Sequence, residues 1–197
     1  MADTVALLLA AGESSRMGSL KAFLPWHGTT LLDHQITVLR QAGICRVIVV
    51  LGHRAEILKP TVQDREGVTW TVNPDYAQGK TTSINAGLSA LAPDEPAAIL
   101  ILNVDQPRSP ETITELLRRH LEAEALITIP TYQGKGGHPI IIDSALLQDL
   151  RSITEETLGV KDVVRSHQER TQRTEMATAE VLWDLNTPEE YQQALRT

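Results

Sequence analysis

The chain has 197 residues, 42% hydrophobic and 22% charged, long enough to bury a sizeable core, and one domain spanning 1–197 is expected. Its net charge of -7 argues against a nucleic-acid or anionic-membrane partner, so a nucleotide site would need its own local positive charge. A lone Cys45 excludes an intramolecular disulfide, no apolar stretch approaches the ~18 residues of a membrane span, and Met1-Ala2-Asp3 lacks a signal peptide's basic start, so the cytoplasm is the expected compartment.

In chain order, Val5-Ala6-Leu7-Leu8-Leu9-Ala10 reads as a buried parallel strand, apolar on both faces. Leu31–Ala42 carries a helical stripe at Leu32, Ile36 and Leu39, stopped by Gly43. Arg46–Leu51 is a second buried strand, His53–Lys59 a short helix ended by Pro60, and Gly67–Val72 a third strand. Ser83–Leu91 reads as helix, Ala97–Leu102 as a strong strand, and Pro110 opens a helix to about Glu122. Ala125–Ile129 and Ile140–Ile142 are strand-like, with a loop at Gly134–Gly137 between them. Ala145–Leu150 and Val160–His167 are expected helices, Met176–Trp183 a final strand, and Pro188–Leu195 the last helix. Strands alternating with helices imply an α/β fold with a doubly wound, mostly parallel sheet.

The first strand runs into Ala11-Gly12-Glu13-Ser14-Ser15-Arg16-Met17-Gly18-Ser19-Leu20-Lys21. In an open α/β sheet this loop lies at the carboxyl end of the strand, where ligands bind. Small residues let backbone N–H groups approach an anion, and Arg16 and Lys21 add a charged fork and a point charge. The pattern suggests a polyphosphate cradle. It is not a Walker loop, since five residues separate Gly12 from Gly18, and it is not Gly-x-Gly-x-x-Gly. The missing dinucleotide fingerprint leaves a redox protein on a Rossmann fold with little support. Gly79-Lys80-Thr81 imitates a Walker tail, but Pro74 stands where the first glycine belongs.

Asp105 follows the strand Ala97–Leu102 and should reach the same sheet edge. A carboxylate beside a phosphate cradle suggests Mg2+, although a turn or helix-capping aspartate would look the same. Asp184 and Asn186 follow Trp183 and are candidate oxygen ligands, while Thr187-Pro188 is also ordinary helix punctuation. Gln78–Ser83 is a polar loop able to read a nucleobase edge or simply to cap a helix. Gly136-Gly137-His138-Pro139 suggests close backbone approach to a second ligand. Neither His-Glu-x-x-His nor Gly-x-Ser-x-Gly occurs, so zinc and serine hydrolase chemistry lack support.

Together these segments resemble the molybdenum cofactor cytidylyltransferase family, over most of the chain and in order. Leu9-Ala10-Ala11-Gly12, with Ser14, Ser15, Arg16, Gly18 and Lys21, looks like its nucleotide loop. Gly79–Leu88, with Ser83, resembles its base-contacting segment, and Asp105-Gln106-Pro107 its metal-binding turn. Asp184-Leu185-Asn186 resembles the second metal segment, with Asn186 where an aspartate is frequent. Gly137-His138-Pro139 and Lys161 match the acceptor side, Lys161 replacing an arginine, and Lys80 replaces a residue that is usually apolar.

The resemblance implies a Rossmann-like nucleotidyltransferase fold, Mg2+ as cofactor, and CMP transfer from CTP to the terminal phosphate of molybdopterin. It also implies transient contact with a molybdoenzyme or a cofactor chaperone. Arg16, Lys21 and Asp105 would carry the catalysis. A phosphorylated acceptor of another kind, such as a sugar phosphate or phosphocholine, is the alternative substrate. A catalytically weak nucleotide-binding regulator is the alternative function. The Lys21 side chain is expected to be exposed.

Overall fold

The computed structural model describes residues 3–14, 17–91 and 95–196. Strand β1 (Thr4–Ala10) is buried along its whole length. It pairs in parallel with β4 (Arg46–Leu51) on one side and β6 (Ala98–Asn103) on the other. A central strand covered on both faces can be apolar at every position, which is why no alternation appears in its sequence. Its side chains divide by parity. Ala6, Leu8 and Ala10 pack with helices α1 (Leu31–Gln41), α2 (Ala55–Val62) and α4 (Pro110–Ala123). Val5, Leu7 and Leu9 pack on the opposite face with α3 (Lys80–Ser89), α5 (Leu147–Arg151) and α6 (Val160–Ser166).

Across the sheet the strands run β10 (Thr171–Glu175), β7 (Ile127–Tyr132), β9 (Ile140–Asp143), β6, β1, β4, β5 (Val68–Val72), with β8 (Lys135–Gly136) on β7. The sheet is mostly parallel: β9 is antiparallel to β6 and β7, and β8 is antiparallel to β7. Strands β2 (Pro25–Trp26) and β3 (Thr29–Thr30) form a separate hairpin. From β1 the chain steps outward through β4 to β5, then returns to β6 on the other flank of β1. That reversal makes the carboxyl ends of β1 and β6 the ligand crevice of the sheet. In register, Leu9 faces Asn103, and the Val104 N–H donates to the Leu9 carbonyl at 2.9 Å. The loop after β1 and the turn carrying Asp105 therefore leave the sheet side by side.

Five expectations are corrected. The final strand is Thr171–Glu175, while Ala179–Leu182, within the expected strand Met176–Trp183, forms a 3-10 turn. β10 buries only Thr174, so it has no apolar signature, whereas Met176 and Val181 reach the core from irregular backbone. Helix α2 continues past Pro60 to the fully buried Val62, whose packing outweighs the hydrogen bond lost at proline. Helix α3 begins at Lys80 instead of Ser83. The expected loop Gly134–Gly137 contains β8, and the expected helix at Ala145 opens as a 3-10 turn over Ser144–Leu146.

A third apolar cluster positions the C-terminal helix α7 (Pro188–Ala194). Leu24, Trp26 and Leu31 pack against Leu185, Tyr191 and Ala194, and the Tyr191 hydroxyl donates to the Pro25 carbonyl. Thr187 and Glu190 form a reciprocal capping box that starts α7 at a defined residue. The hairpin after the β1 loop and the segment bearing Asn186 are thereby locked together.

Candidate active site

The β1 loop is built by close contacts. Ala11 is buried, and its carbonyl accepts the His53 N–H at 3.0 Å. A Cβ on Gly52 would lie 2.7 Å from both the Cβ and the carbonyl oxygen of Ala11, so only glycine lets β4's end pass there. Ser14 adopts φ +56°, its carbonyl accepts the Met17 N–H at 2.9 Å, and its Oγ accepts the Lys21 N–H at 3.0 Å. Ser14 thus closes the loop onto the 3-10 turn Lys21–Phe23. Ser15 and Arg16 lie outside the described residues.

Lys21 is the centre of the site. Its Nζ donates to Asp105 Oδ2 at 2.6 Å and to Asn186 Oδ1 at 2.8 Å. The Lys21 side chain is only 12% exposed, which corrects the expectation of an exposed lysine. The cause is the convergence of three chain segments on one ammonium. Leu185 N–H donates to the Asp105 carbonyl at 2.9 Å and ties the two oxygen-bearing turns together. Asp184 hydrogen-bonds the Asn186 side chain; burial, then the nearby Asp105 charge, push its carboxyl above the usual range.

These oxygens fit a hard divalent cation. Asp105 Oδ1 is buried and has no hydrogen-bond partner among the described residues. Its other oxygen and Asn186 Oδ1 already share one cation, the Lys21 ammonium. Among the described residues no group of three or more His, Cys, Asp or Glu side chains forms a cage. One or two protein oxygens completed by substrate phosphate and water is the arrangement suited to Mg2+.

A cleft of about 360 Å³ opens here. Leu9, Ala10, Ala11, Gly12 and Ser14 line one wall, and Lys21, Asp105 and Asn186 line its floor. Gly79, Lys80 and Ser83 complete it from α3. Asn73 holds this last wall, its Nδ2 donating to Thr82 Oγ1 at 2.8 Å and Ser83 Oγ at 3.0 Å. Gly79 sits at φ +130°, and Glu155 packs where a Cβ would stand. Gly18, Asp184, Gly137, His138, Pro139 and Lys161 do not line this cleft.

The Gly137–Pro139 segment is structured by Arg108, which sequence reasoning missed. Arg108 is 2% exposed, and its guanidinium donates to the carbonyls of Pro107, His138, Val181 and Trp183. One side chain thereby staples the Asp105 turn, the His138 segment and the approach to Asn186. Burial lowers its pKa to about 9, an effect that nearby Glu180 and Asp184 oppose. Gly137 has a packing reason to be glycine, since a Cβ would stand 2.1 Å from the Val181 carbonyl oxygen. Desolvation, then the charges of Lys80 and Arg108, lower the His138 pKa to about 3, so its ring is neutral at physiological pH.

Arg108→Met should remove the guanidinium donor from the carbonyls of Pro107, His138 and Trp183, while the Val181 carbonyl keeps the His138 N–H at 2.9 Å; at ~1–3 kcal/mol for each unsatisfied group, a loss of about 3 kcal/mol or more is expected in denaturant titration. Retained stability would mean that water replaces the guanidinium. Because the His138 pKa falls on folding, the unfolded chain binds more protons between pH ~6.5 and about 3. Stability should therefore drop as pH falls through that window, and His138→Asn should make the drop shallower in thermal melts taken at successive pH values. An unchanged pH slope would show that His138 is not titrating in this way.

Residues 6–171 match the MobA-like NTP transferase domain. The molybdenum cofactor cytidylyltransferase of Escherichia coli (strain K12) is 30% identical over 190 residues, covering 94% of this chain and 92% of that protein. Nicotine blue oxidoreductase of Paenarthrobacter nicotinovorans is 30% identical over 168 residues, covering 81% and 80%. The crystal structure of Rv0371c from Mycobacterium tuberculosis H37Rv, a manganese complex, superposes with a TM-score of 0.78 at 23% identity, over 99% of both chains. This chain, with its cleft at the reversal point of a mostly parallel sheet, belongs to the MobA-like NTP transferase family.

Proposed function

We propose that residues 1–197 act as one nucleotidyltransferase domain that moves CMP from CTP to the terminal phosphate of molybdopterin and releases pyrophosphate. The observation that carries this reading is the Lys21 ammonium held between Asp105 and Asn186 beside the β1 loop. The match to the cytidylyltransferase across 94% of the chain supports the choice of substrates.

The acceptor phosphate attacks the α-phosphorus of the nucleotide; an oxygen–phosphorus bond forms as the bond to pyrophosphate breaks. A phosphate monoester has a second pKa of ~6, so at neutral pH the nucleophile needs no protein base. His138, held neutral, is not required as one. The work left to the protein is alignment and charge neutralisation. The Ala10–Ser14 backbone cradles the triphosphate, and Lys21, with Arg16 on the same loop, offsets the charge that grows on pyrophosphate. Asp105 and Asn186 would hold Mg2+, with Asp184 orienting Asn186, and the bound ion supplies charge stabilisation to phosphate oxygens. The Ala11 methyl narrows the slot beside the base, a restriction a pyrimidine tolerates better than a purine, while Gly79 and Ser83 contact the base edge.

A second reading follows from the similarity to nicotine blue oxidoreductase. It would be a redox reaction, and Gly12 and Gly18 do not form the fingerprint of a dinucleotide site that could serve one.

Lys21→Ala should lower turnover by ~100-fold or more, the loss expected when transition-state charge stabilisation is removed. Wild-type turnover at subsaturating nucleotide would remove Lys21 from the mechanism. The functional test is initial rate with CTP, GTP, ATP and UTP at equal subsaturating concentration and molybdopterin as acceptor. CTP should lead, and Ala11→Gly should admit GTP in part, since one methyl discriminates by only ~1–3 kcal/mol. A preference for GTP in the unmodified protein would overturn the base assignment. NADH oxidation without pyrophosphate release would favour the redox reading.

A further inference from the structure

Lys80 is a cleft lysine of a different kind from Lys21. It stands at the first residue of α3 and lines the cleft with Asp105 and Asn186. Lys21 is committed to two oxygens, whereas among the described residues Lys80 has neither a hydrogen bond nor an ion-pair contact. Its charge is felt through longer-range fields from Asp105, Asp184, Glu155 and Lys161, and it acts in turn on His138. Asp105 and Asp184 belong to the turns beside Lys21; Glu155, Lys161 and His138 lie on segments outside the cleft lining. Lys80 therefore lines the cleft within the fields of both the Asp105 turn and the His138 and Lys161 segments, which the resemblance puts on the second-substrate side.

Its backbone is held in place. Glu155 Oε1 accepts both the Thr81 N–H at 2.7 Å and the Thr81 hydroxyl at 2.9 Å. Gly159 packs on the Thr81 methyl so closely that a Cβ there would lie 2.8 Å away. The α5–α6 connection thus fixes the start of α3 with Lys80 directed at the cleft. Lys80 is an exposed residue, yet desolvation lowers the pKa of its ammonium, opposed by the three carboxylates. An ammonium with no hydrogen bond or ion pair among the described residues, carried into the cleft on a held backbone, is free to receive an anion that arrives with a substrate.

We propose that Lys80 receives the phosphate monoester of the acceptor and is a specificity-determining contact for the second substrate. This rests on the nucleotidyl-transfer reading and deepens it. Phosphate bound there would sit next to the Asp105 turn, where an attacking oxygen is needed, while Lys21 serves the nucleotide. The nucleotide half has its own cation, so loss of Lys80 should separate the two substrates kinetically.

The test compares wild type, Lys80→Met, which keeps the stem and removes the charge, and Lys80→Arg, which keeps the charge. With CTP and molybdopterin, Lys80→Met should raise the acceptor KM by ~10-fold or more, as expected for one charge-assisted contact. The KM for CTP and the thermal midpoint should stay near wild type, and Lys80→Arg should restore most of the acceptor KM. An unchanged acceptor KM, or a rise confined to the KM for CTP, would overturn the proposal. Calorimetric titration of molybdopterin without nucleotide supplies a readout independent of turnover. If wild type binds the acceptor and Lys80→Met binds it equally, the Lys80 role fails and nucleotidyl transfer stands. If wild type neither binds molybdopterin nor turns over, both the reading and the proposal fall.

Discussion

The contact on which the site depends is one ammonium held by two oxygens from distant parts of the chain. Lys21 follows β1, Asp105 follows β6, and Asn186 precedes α7, and all three meet within hydrogen-bond distance. A half-buried carboxylate is costly unless it is paired, and Lys21 supplies the pairing. The same carboxylate keeps a second, buried oxygen without a partner among the described residues. The ion pair thus leaves one buried oxygen unsatisfied, the position a divalent cation would fill. Replacing one cation by another between the same oxygens is a smaller rearrangement than building a metal site from separated residues.

Structure far from the cleft holds the cluster together. Pairing of β1 with β6 brings the Lys21 loop and Asp105 to one edge. The Trp26–Leu185–Tyr191 cluster brings Asn186 to that edge from the chain's other end. Arg108 ties the Asp105 turn to the backbone at His138, Val181 and Trp183. Buried arginines are costly when they lack acceptors, and here four carbonyls satisfy the guanidinium. Its contribution to function is rigidity: the oxygens around Lys21 are placed by a side chain that lies outside the cleft.

The first strand, its loop, the strand before Asp105 and the helix stripes were legible because each depends on local pattern. An unbroken apolar run can satisfy its environment only in the middle of a covered sheet, and small residues after it mark the carboxyl edge. The antiparallel sense of β9 was not legible, since Ile140–Ile142 is apolar in either direction. β10 was hidden because Gln172, Arg173 and Glu175 are exposed and only Thr174 is buried. In the site, Lys21, Asp105 and Asn186 were identifiable by residue type, but the burial of Lys21 was not, because it follows from a contact across 165 residues. Arg108 gave no signal beyond an arginine next to a proline, and Asn73 looked like turn punctuation. Residues that position others through backbone carbonyls leave little trace in a single sequence.

The direct measurement is the fate of each phosphate of CTP. Protein, Mg2+ and molybdopterin are incubated with CTP labelled at the α-phosphorus or at the γ-phosphorus, and the products are separated. Nucleotidyl transfer at the Lys21–Asp105–Asn186 cluster predicts α-label on the acceptor and an equal amount of γ-label in pyrophosphate. It also predicts that Asp105→Ala loses both. Transfer of γ-label to the acceptor, or equal label transfer by Asp105→Ala, would contradict it.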